Sequence, residues 1–561
     1  MPPLPPWRDR RTLALVALLC IGQVALWGLA AGLMYKAPEI DSAEQFVWAY
    51  SLQAGYWKHP PLPSWIMHGL LQVFGPSVAL PFVATQACIV VALALTWRLG
   101  CEVMAARRAL IAMALTSLVT YHNIGGDSFN HNTVLLPFQA ALVLAFHLAA
   151  RRGHWRWWAL TGGFAGLAML VKYVALLPIA ALLLYALLDR RLHTRRSALG
   201  LLLAAAVALA VMAPHLQWLI ATDFLPFRYA REVSQSLPGV VATVLSLGGF
   251  AVIQLLRLLP FFAALGVTLW RPSADAPGIA PSAPPLLPPM AASDRLFVTV
   301  VGLAPLAITM AIGLFSETAL QARWGTNAFL LTGLCAMTWL ARPDSAAMLR
   351  RCLQFVIAAQ VVLCLGQTLA KTVVAEHLGR GTRANFPGAL LAQQAQQAWR
   401  THTDAPLRLL VTDIWLAGNI IAHRAQTMAV LIDGDAAKSP WVGTADVDGC
   451  GALVLDGTKV DGAPPNAAIE ALLARADASG AWNLPWVAGK SAGKGAGKSA
   501  GKSAAEGTAR GTARGADLRA MPATVEVRWG IVKPRAGRRC TLGAAPVATT
   551  PTTETPPPRT P

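Results

Sequence analysis

Apolar residues recur along the chain in blocks of roughly 20, the length an α-helix needs to cross a hydrocarbon core of about 30 Å. The blocks stop near residue 370. The pattern predicts spans over residues 13–35, 78–97, 109–121, 133–150, 159–171, 173–188, 198–220, 241–270, 296–315, 326–341 and 353–370, about eleven helices. The first block follows Arg8, Arg10 and Arg11 and is too long for the core of a cleaved leader, so it reads as a retained span.

The polar stretches between blocks fall into two alternating sets. Lys and Arg concentrate in residues 98–108, 151–157, 189–196, 271–295 and 342–351, which the positive-inside rule assigns to the cytoplasm. The loops at 36–77, 122–132, 221–239 and 316–325 then face the periplasm of a bacterial inner membrane, as does everything beyond Lys371. The division predicted is a transmembrane region over 1–371 and a soluble region over 372–544. The latter carries helix-like periodicity at 391–400 and 466–476 and strand-like runs at 407–412, 428–432, 452–455 and 525–532, a small α/β fold. Residues 489–515 hold no apolar side chain larger than alanine and read as a disordered insertion inside that fold, with residues 545–561 a loose Pro/Thr-rich tail and 272–289 a Pro-rich linker.

Composition agrees with a bilayer environment: 55% of residues are hydrophobic, only 13% are charged, and mean hydropathy is +0.48. The net charge of +19 is dispersed over the cytoplasmic loops and the repetitive tail segment, which argues against a nucleic-acid partner. Six of the eight cysteines lie in or beside the spans, whereas Cys450 and Cys540 lie in the soluble region; sequence leaves open whether those two form a disulfide or stay as thiols.

The ionisable residues that could do chemistry gather on the predicted outer face. The first loop there, residues 36–77, is too aromatic for an ordinary connection and reads as helices lying along the membrane, broken at His59-Pro60-Pro61. Asp41 at its start is either the N-cap of a helix beginning near Ser42 or a base at the membrane surface. The next loop offers Asp127 beside His122, Asn130 and His131. The spacing matches no standard metal-ligand pattern, and the need for a divalent metal stays unknown. Lys172 interrupts an apolar stretch, which requires that its ammonium snorkel or meet an anion. Glu317 and Arg323 follow in the fourth outer loop. A site at the membrane boundary fits this one-sidedness. A transporter, the competing reading, should show ionisable groups at the bilayer midplane, where Arg257 is the only clear charge; a non-catalytic scaffold is the third.

Residues 41–65, DSAEQFVWAYSLQAGYWKHPPLPSW, resemble the first-loop signature of bacterial GT-C glycosyltransferases: an acidic pair, aromatic positions, Gly-Tyr, then His-Pro-Pro. The family is the dolichyl-phosphate-mannose protein mannosyltransferase superfamily, which includes the lipid A aminoarabinose transferase. Asp127, residues 166–173, residues 214–227, Arg323-Trp324, Trp415-Leu416-Ala417 and Ser439-Pro440-Trp441 extend the resemblance. It implies a polytopic GT-C fold and transfer of a sugar from a polyprenyl-phosphate carrier to a lipid or protein acceptor, with inversion. By that likeness Asp41 is the base, Asp127 assists at the acceptor or holds a loop, and Lys172 and Arg323 stabilise the phosphate. Glu44, Tyr56, His59 and Trp324 join them as substrate-binding candidates. One departure stands out: Ser42 occupies the place of the second acid, with Glu44 two positions on.

Overall fold

The structure is a computed structural model that describes residues 9–234, 236–270, 290–340, 344–424, 427–457, 466–486 and 524–542. The linker at 272–289, the insertion at 489–515 and the tail at 545–561 lie outside the described residues.

The chain folds as a helical bundle followed by a small sheet. Among the described residues seven helices are long and apolar enough to cross a membrane: Arg10–Met34, Ala79–Val103, His131–Arg152, Arg195–Ala221, Gly239–Arg257, Ala292–Phe315 and Ala346–His377. Tyr173–Leu188 and Leu259–Leu269 are shorter and equally apolar. Leucines and valines such as Leu187, Leu202, Leu209, Val241 and Leu245 are exposed along these helices, as expected of faces that meet lipid rather than protein. Close helix contact runs through small residues. A Cβ at Gly162 would overlap the backbone of Ala204, and one at Gly333 the carbonyl of Ala112, so both pairs of helices approach at backbone distance.

Four of the eleven predicted spans, those at 109–121, 159–171, 173–188 and 326–341, are not among these seven helices, and other blocks differ in detail. The block at 241–270 is two helices, Gly239–Arg257 and Leu259–Leu269, because Pro260 supplies no N–H and starts a new helix at its first turn. The block at 326–341 opens as a 3-10 helix, Ala322–Phe329, before the short helix Thr332–Trp339. The block at 109–121 is the 12-residue helix Ala106–Ser117. Arg257, the apparent mid-span charge, closes its helix and lies 5.4 Å from the ring centre of Tyr121.

The first inter-helix loop contains two helices, Ile40–Trp48 and Leu62–Phe74, separated at His59-Pro60-Pro61 as the prolines require. Tyr56 stacks on Trp48, with ring planes 3° apart, and its hydroxyl donates to the carbonyls of Ser51 (2.7 Å) and Trp48 (3.1 Å). The turn is closed by this ring.

The C-terminal sheet contains β1 (Leu409–Thr412), β2 (Ala429–Ile432), β3 (Ala452–Gly457), β4 (Ala478–Pro485) and β5 (Thr524–Val532), in the order β2-β1-β3-β5-β4. β1 runs parallel to β2 and β3; β5 is antiparallel to β3 and β4. Cys450 and Cys540 are joined in a disulfide, which resolves the alternative left open by spacing. The sheet region sits directly on the bundle. Its helix Ile414–Ala422 packs along Ile40–Trp48 so closely that a side chain at Gly418 would meet the backbone of Ala43. One hydrophobic core therefore runs from Phe46 and Val47 of the loop helix through Leu416 and Ile420 into β1 and β3.

Candidate active site

Asp41 is the second residue of the Ile40–Trp48 helix, whose N-cap position is Glu39, so the carboxylate does not cap that helix. It is held from elsewhere. Asn130 begins the helix His131–Arg152 as its N-cap: its Oδ1 accepts from the N–H groups of Asn132 (2.9 Å) and Thr133 (3.1 Å), which leaves Nδ2 to donate to Asp41 Oδ2 at 3.1 Å. The cap fixes the amide's orientation, and the amide fixes the acid.

Two residues further on, Asn132 Oδ1 accepts from the ammonium of Lys172 at 2.6 Å. Lys172 occupies the break between the helix Trp155–Val171 and the 3-10 turn Tyr173–Ala175, with extended backbone. A neutral amide is its hydrogen-bond partner, so the charge is not cancelled by that bond, while burial first and Arg323 second lower the ammonium's pKa to about 8. Arg323, exposed at the start of the Ala322–Phe329 helix, donates Nε–H to Gln321 Oε1 at 2.8 Å; its neighbour Trp324 is half-buried. Arg323 also lies close enough to influence Lys172, Glu44 and His59 electrostatically. The structure thus brings Asp41, Lys172, Arg323, Glu44 and His59 to one end of the bundle.

Glu44, one turn along from Asp41, is buried and pairs with Lys58. Burial lifts its carboxyl to about 7 even against the attraction of Lys58. Lys58 also lies 5.0 Å from the ring centre of Trp57, which Lys438 of the sheet region approaches to 5.1 Å. His59 packs against His131 with ring centres 4.1 Å apart and planes tilted by 40°, and burial, then His131 and the cations Lys172, Lys58 and Arg323, keep it neutral. Tyr56 contributes its ring to the wall, since its hydroxyl is already committed to two carbonyls.

Asp127 is placed differently from the rest. Its Oδ2 accepts from Lys371 Nζ at 2.7 Å and from Gln367 Nε2 at 3.0 Å, on the side of the loop turned toward the last span. Lys371 reaches Glu39 Oε1 as well, at 3.1 Å. Glu39 is held up to about 7, by burial first and by Asp127 second, with Lys371 pulling the other way.

Ser42 explains the departure at the second acid. It is fully buried, and its Oγ accepts the N–H of Phe129 at 2.9 Å, tying the Asp41 helix to the loop that carries Asn130. Its hydroxyl also lies 3.4 Å from that of Ser128.

His122 does not join His131: its Nδ1 faces the carbonyl of Thr116 at 2.8 Å inside the bundle. Among the described residues the one group with metal-ligand proximity is Asp446 with Cys450 and Cys540, and there both sulfurs are in the disulfide while Asp446 accepts from Thr541 and Gly443. Asn132, Lys58 and Lys371 were absent from the sequence-level candidates. Lys58 was the one within reach, since it sits inside the signature segment next to His59.

Residues 58–218 match the family model described as dolichyl-phosphate-mannose-protein mannosyltransferase. The chain is 27% identical over 394 residues to the lipopolysaccharide core galacturonosyltransferase RgtB of Rhizobium johnstonii, covering 68% of this chain and 76% of that protein. It is 25% identical over 445 residues to RgtA of the same organism, also a lipopolysaccharide core galacturonosyltransferase, covering 77% and 85%. In fold it is similar to the crystal structure of ArnT from Cupriavidus metallidurans bound to undecaprenyl phosphate, with a TM-score of 0.52 at 15% identity, covering 79% of this chain and 93% of that one.

Proposed function

We propose, given that this chain is a bacterial GT-C superfamily glycosyltransferase, that it transfers a sugar from a polyprenyl-phosphate carrier to a lipopolysaccharide acceptor at the periplasmic face of the inner membrane. The observation that carries this reading is the pairing at the start of one helix: Asn130 aims Asp41, and Asn132 holds Lys172. A base and a phosphate-binding cation are thereby held on a common frame.

In the reaction proposed, an acceptor hydroxyl attacks the anomeric carbon while its proton passes to the Asp41 carboxylate. The new C–O bond forms as the bond between that carbon and the phosphate oxygen breaks, with inversion. The leaving polyprenyl phosphate gains negative charge, which Lys172 and Arg323 offset. Galacturonate is the sugar favoured by the relatives' activity, and the site suits it. Such a donor carries a carboxylate in addition to its phosphate, and Lys172, which feels both Asp41 and Arg323, stands beside the acid, with Lys58 near it in a pair with Glu44. The disulfide between Cys450 and Cys540 supports an oxidising compartment for the sheet region, hence the periplasmic orientation.

The test is reconstitution in proteoliposomes with undecaprenyl-phosphate-linked galacturonate and a core lipopolysaccharide acceptor, following release of undecaprenyl phosphate. Wild-type protein is expected to release it only when acceptor is present, and Asp41→Asn to lower turnover by at least about 100-fold. Turnover of Asp41→Asn within twofold of wild type would remove Asp41 from the chemistry.

A further inference from the structure

We infer that Lys371 is a positioning residue for the transfer reaction proposed above, clamping the acid-bearing helix and the asparagine-bearing loop into one register from the last membrane span. The inference rests on that reading of Asp41, but the clamp itself is a property of the fold.

Three observations carry it. Lys371 bridges Glu39 (3.1 Å) and Asp127 (2.7 Å), residues 88 positions apart in sequence by their numbers, 127 less 39. Each of these partners directs one half of the site. Glu39 is the N-cap position of the Asp41 helix, and its carbonyl accepts from Ser42 and Ala43 at 2.9 Å. Asp127 stands three residues before Asn130, in the loop whose Phe129 N–H is bound by Ser42. Where Lys371 joins the two segments at their roots, Asn130 joins them at the acid.

The charge logic makes the lysine necessary rather than incidental. Burial and then Asp127 work against the charged form of Glu39, and among the described residues the Lys371 ammonium is the cation that contacts both carboxyl groups and lets two like charges meet in this buried place. Tyr35 packs its ring 5.9 Å from the Lys371 ammonium, Gln367 donates to Asp127, and Arg383 lies near Glu39, so among the described residues these groups also face the cluster. Lys371 lies in a π-helical segment, Ala370–Val374, a local widening that recurs at functional sites because it re-aims side chains. Its carbonyl accepts Thr382 Oγ1 at 2.6 Å, and the Thr382 carbonyl in turn accepts the indole N–H of Trp486, just past β4, at 2.8 Å. Docking of the sheet region is thus fastened to the residue that holds the site.

The experiment uses full-length Lys371→Met and Lys371→Arg in lipid nanodiscs, with two independent readouts. In the transfer assay above, Lys371→Met is expected to lose about 30-fold or more in kcat, since misplacing a catalytic group by about 1 Å costs on that order, while Lys371→Arg retains most of it. The dissociation constant for undecaprenyl phosphate stays within about twofold in both, because the phosphate cations are untouched. Amide hydrogen exchange in residues 39–46 and 127–133 of Lys371→Met is expected to rise about tenfold or more, with strands β1 and β2 unchanged. Unchanged exchange in those two segments overturns the inference, and so does equal acceleration in the sheet, which would make Lys371 a general stabiliser. If wild-type protein fails to turn over the donor, the transfer reading fails, and the exchange data still decide whether Lys371 orders the two segments.

Discussion

Asn130 and Asn132, two residues apart at the first turn of the helix His131–Arg152, divide the site between them: the first donates to the Asp41 carboxylate, the second accepts from the Lys172 ammonium. Both side chains are neutral, so neither cancels the charge it orients. The spacing between acid and cation is set by the two-residue step from the cap, Asn130, to Asn132.

Asn130→Ala removes both the cap and the donor to Asp41. Loss of the cap is expected to cost about 1 kcal/mol of stability, visible as a lower Tm. Turnover should fall about tenfold or more, because a free carboxylate samples unproductive orientations. Asn130→Ser keeps the cap and loses the long reach to Asp41, so it should recover Tm without recovering turnover.

Lys172→Met retains the apolar stem and deletes the charge. A charge-assisted hydrogen bond contributes about 1.5–3 kcal/mol, so the dissociation constant for undecaprenyl phosphate should rise by about 10- to 100-fold. Fluorescence-based titration in nanodiscs checks this. Arg323→Gln is exposed and should cost less, and equal effects at the two positions would argue against Lys172 as the principal phosphate ligand.

Stability should fall as pH rises between about 4.5 and about 7 through Glu44. Its folded-state pKa lies near 7, above the ordinary carboxylate value, so the native state holds a proton that the unfolded chain has released. The contribution is fully present below the unfolded value and is lost as pH passes the folded one. Glu39 moves in the same direction for the same reason, burial. Thermal melts of Glu44→Gln between pH 5 and 8 should therefore show a shallower slope than wild type, with the residue of the slope belonging to Glu39.

Gly418→Val places a branched side chain against the backbone of Ala43, at the contact between the Ile414–Ala422 and Ile40–Trp48 helices. Overpacking of this kind costs about 1–3 kcal/mol, and here the strain falls on the helix that carries Asp41. Limited proteolysis should release the sheet region faster from the variant, and turnover should fall with it. Gly163→Val has open space and is the control.

The membrane architecture was legible because a span is a local property: twenty apolar residues announce themselves without reference to any partner. The boundary at Pro260 could have been read from the proline and was passed over because the apolar run continued through it. Strand β4 was missed for a physical reason. It is an edge strand with Ser479, Gly480, Ala481 and Asn483 exposed, so it shows neither a buried run nor a clean alternation. The gathering of Asp41, Lys172 and Arg323 at one end followed from loop alternation, whereas the amides that orient them did not. Asn130 announces a helix start, and nothing in its spacing reports an acid 89 residues earlier. Lys371 read as the edge of a span for the same reason, its two partners being 332 and 244 residues away.

Strands β4 and β5 pair along their whole length, with Pro485 opposite Thr524. The segment that leaves β4 must therefore rejoin the sheet at the neighbouring strand, one strand spacing of about 5 Å away, however many residues it contains. Lengthening such a loop costs only about 0.6 kcal/mol per doubling. The sheet thus has a port at which chain can be added or removed while the strand register beneath stays the same.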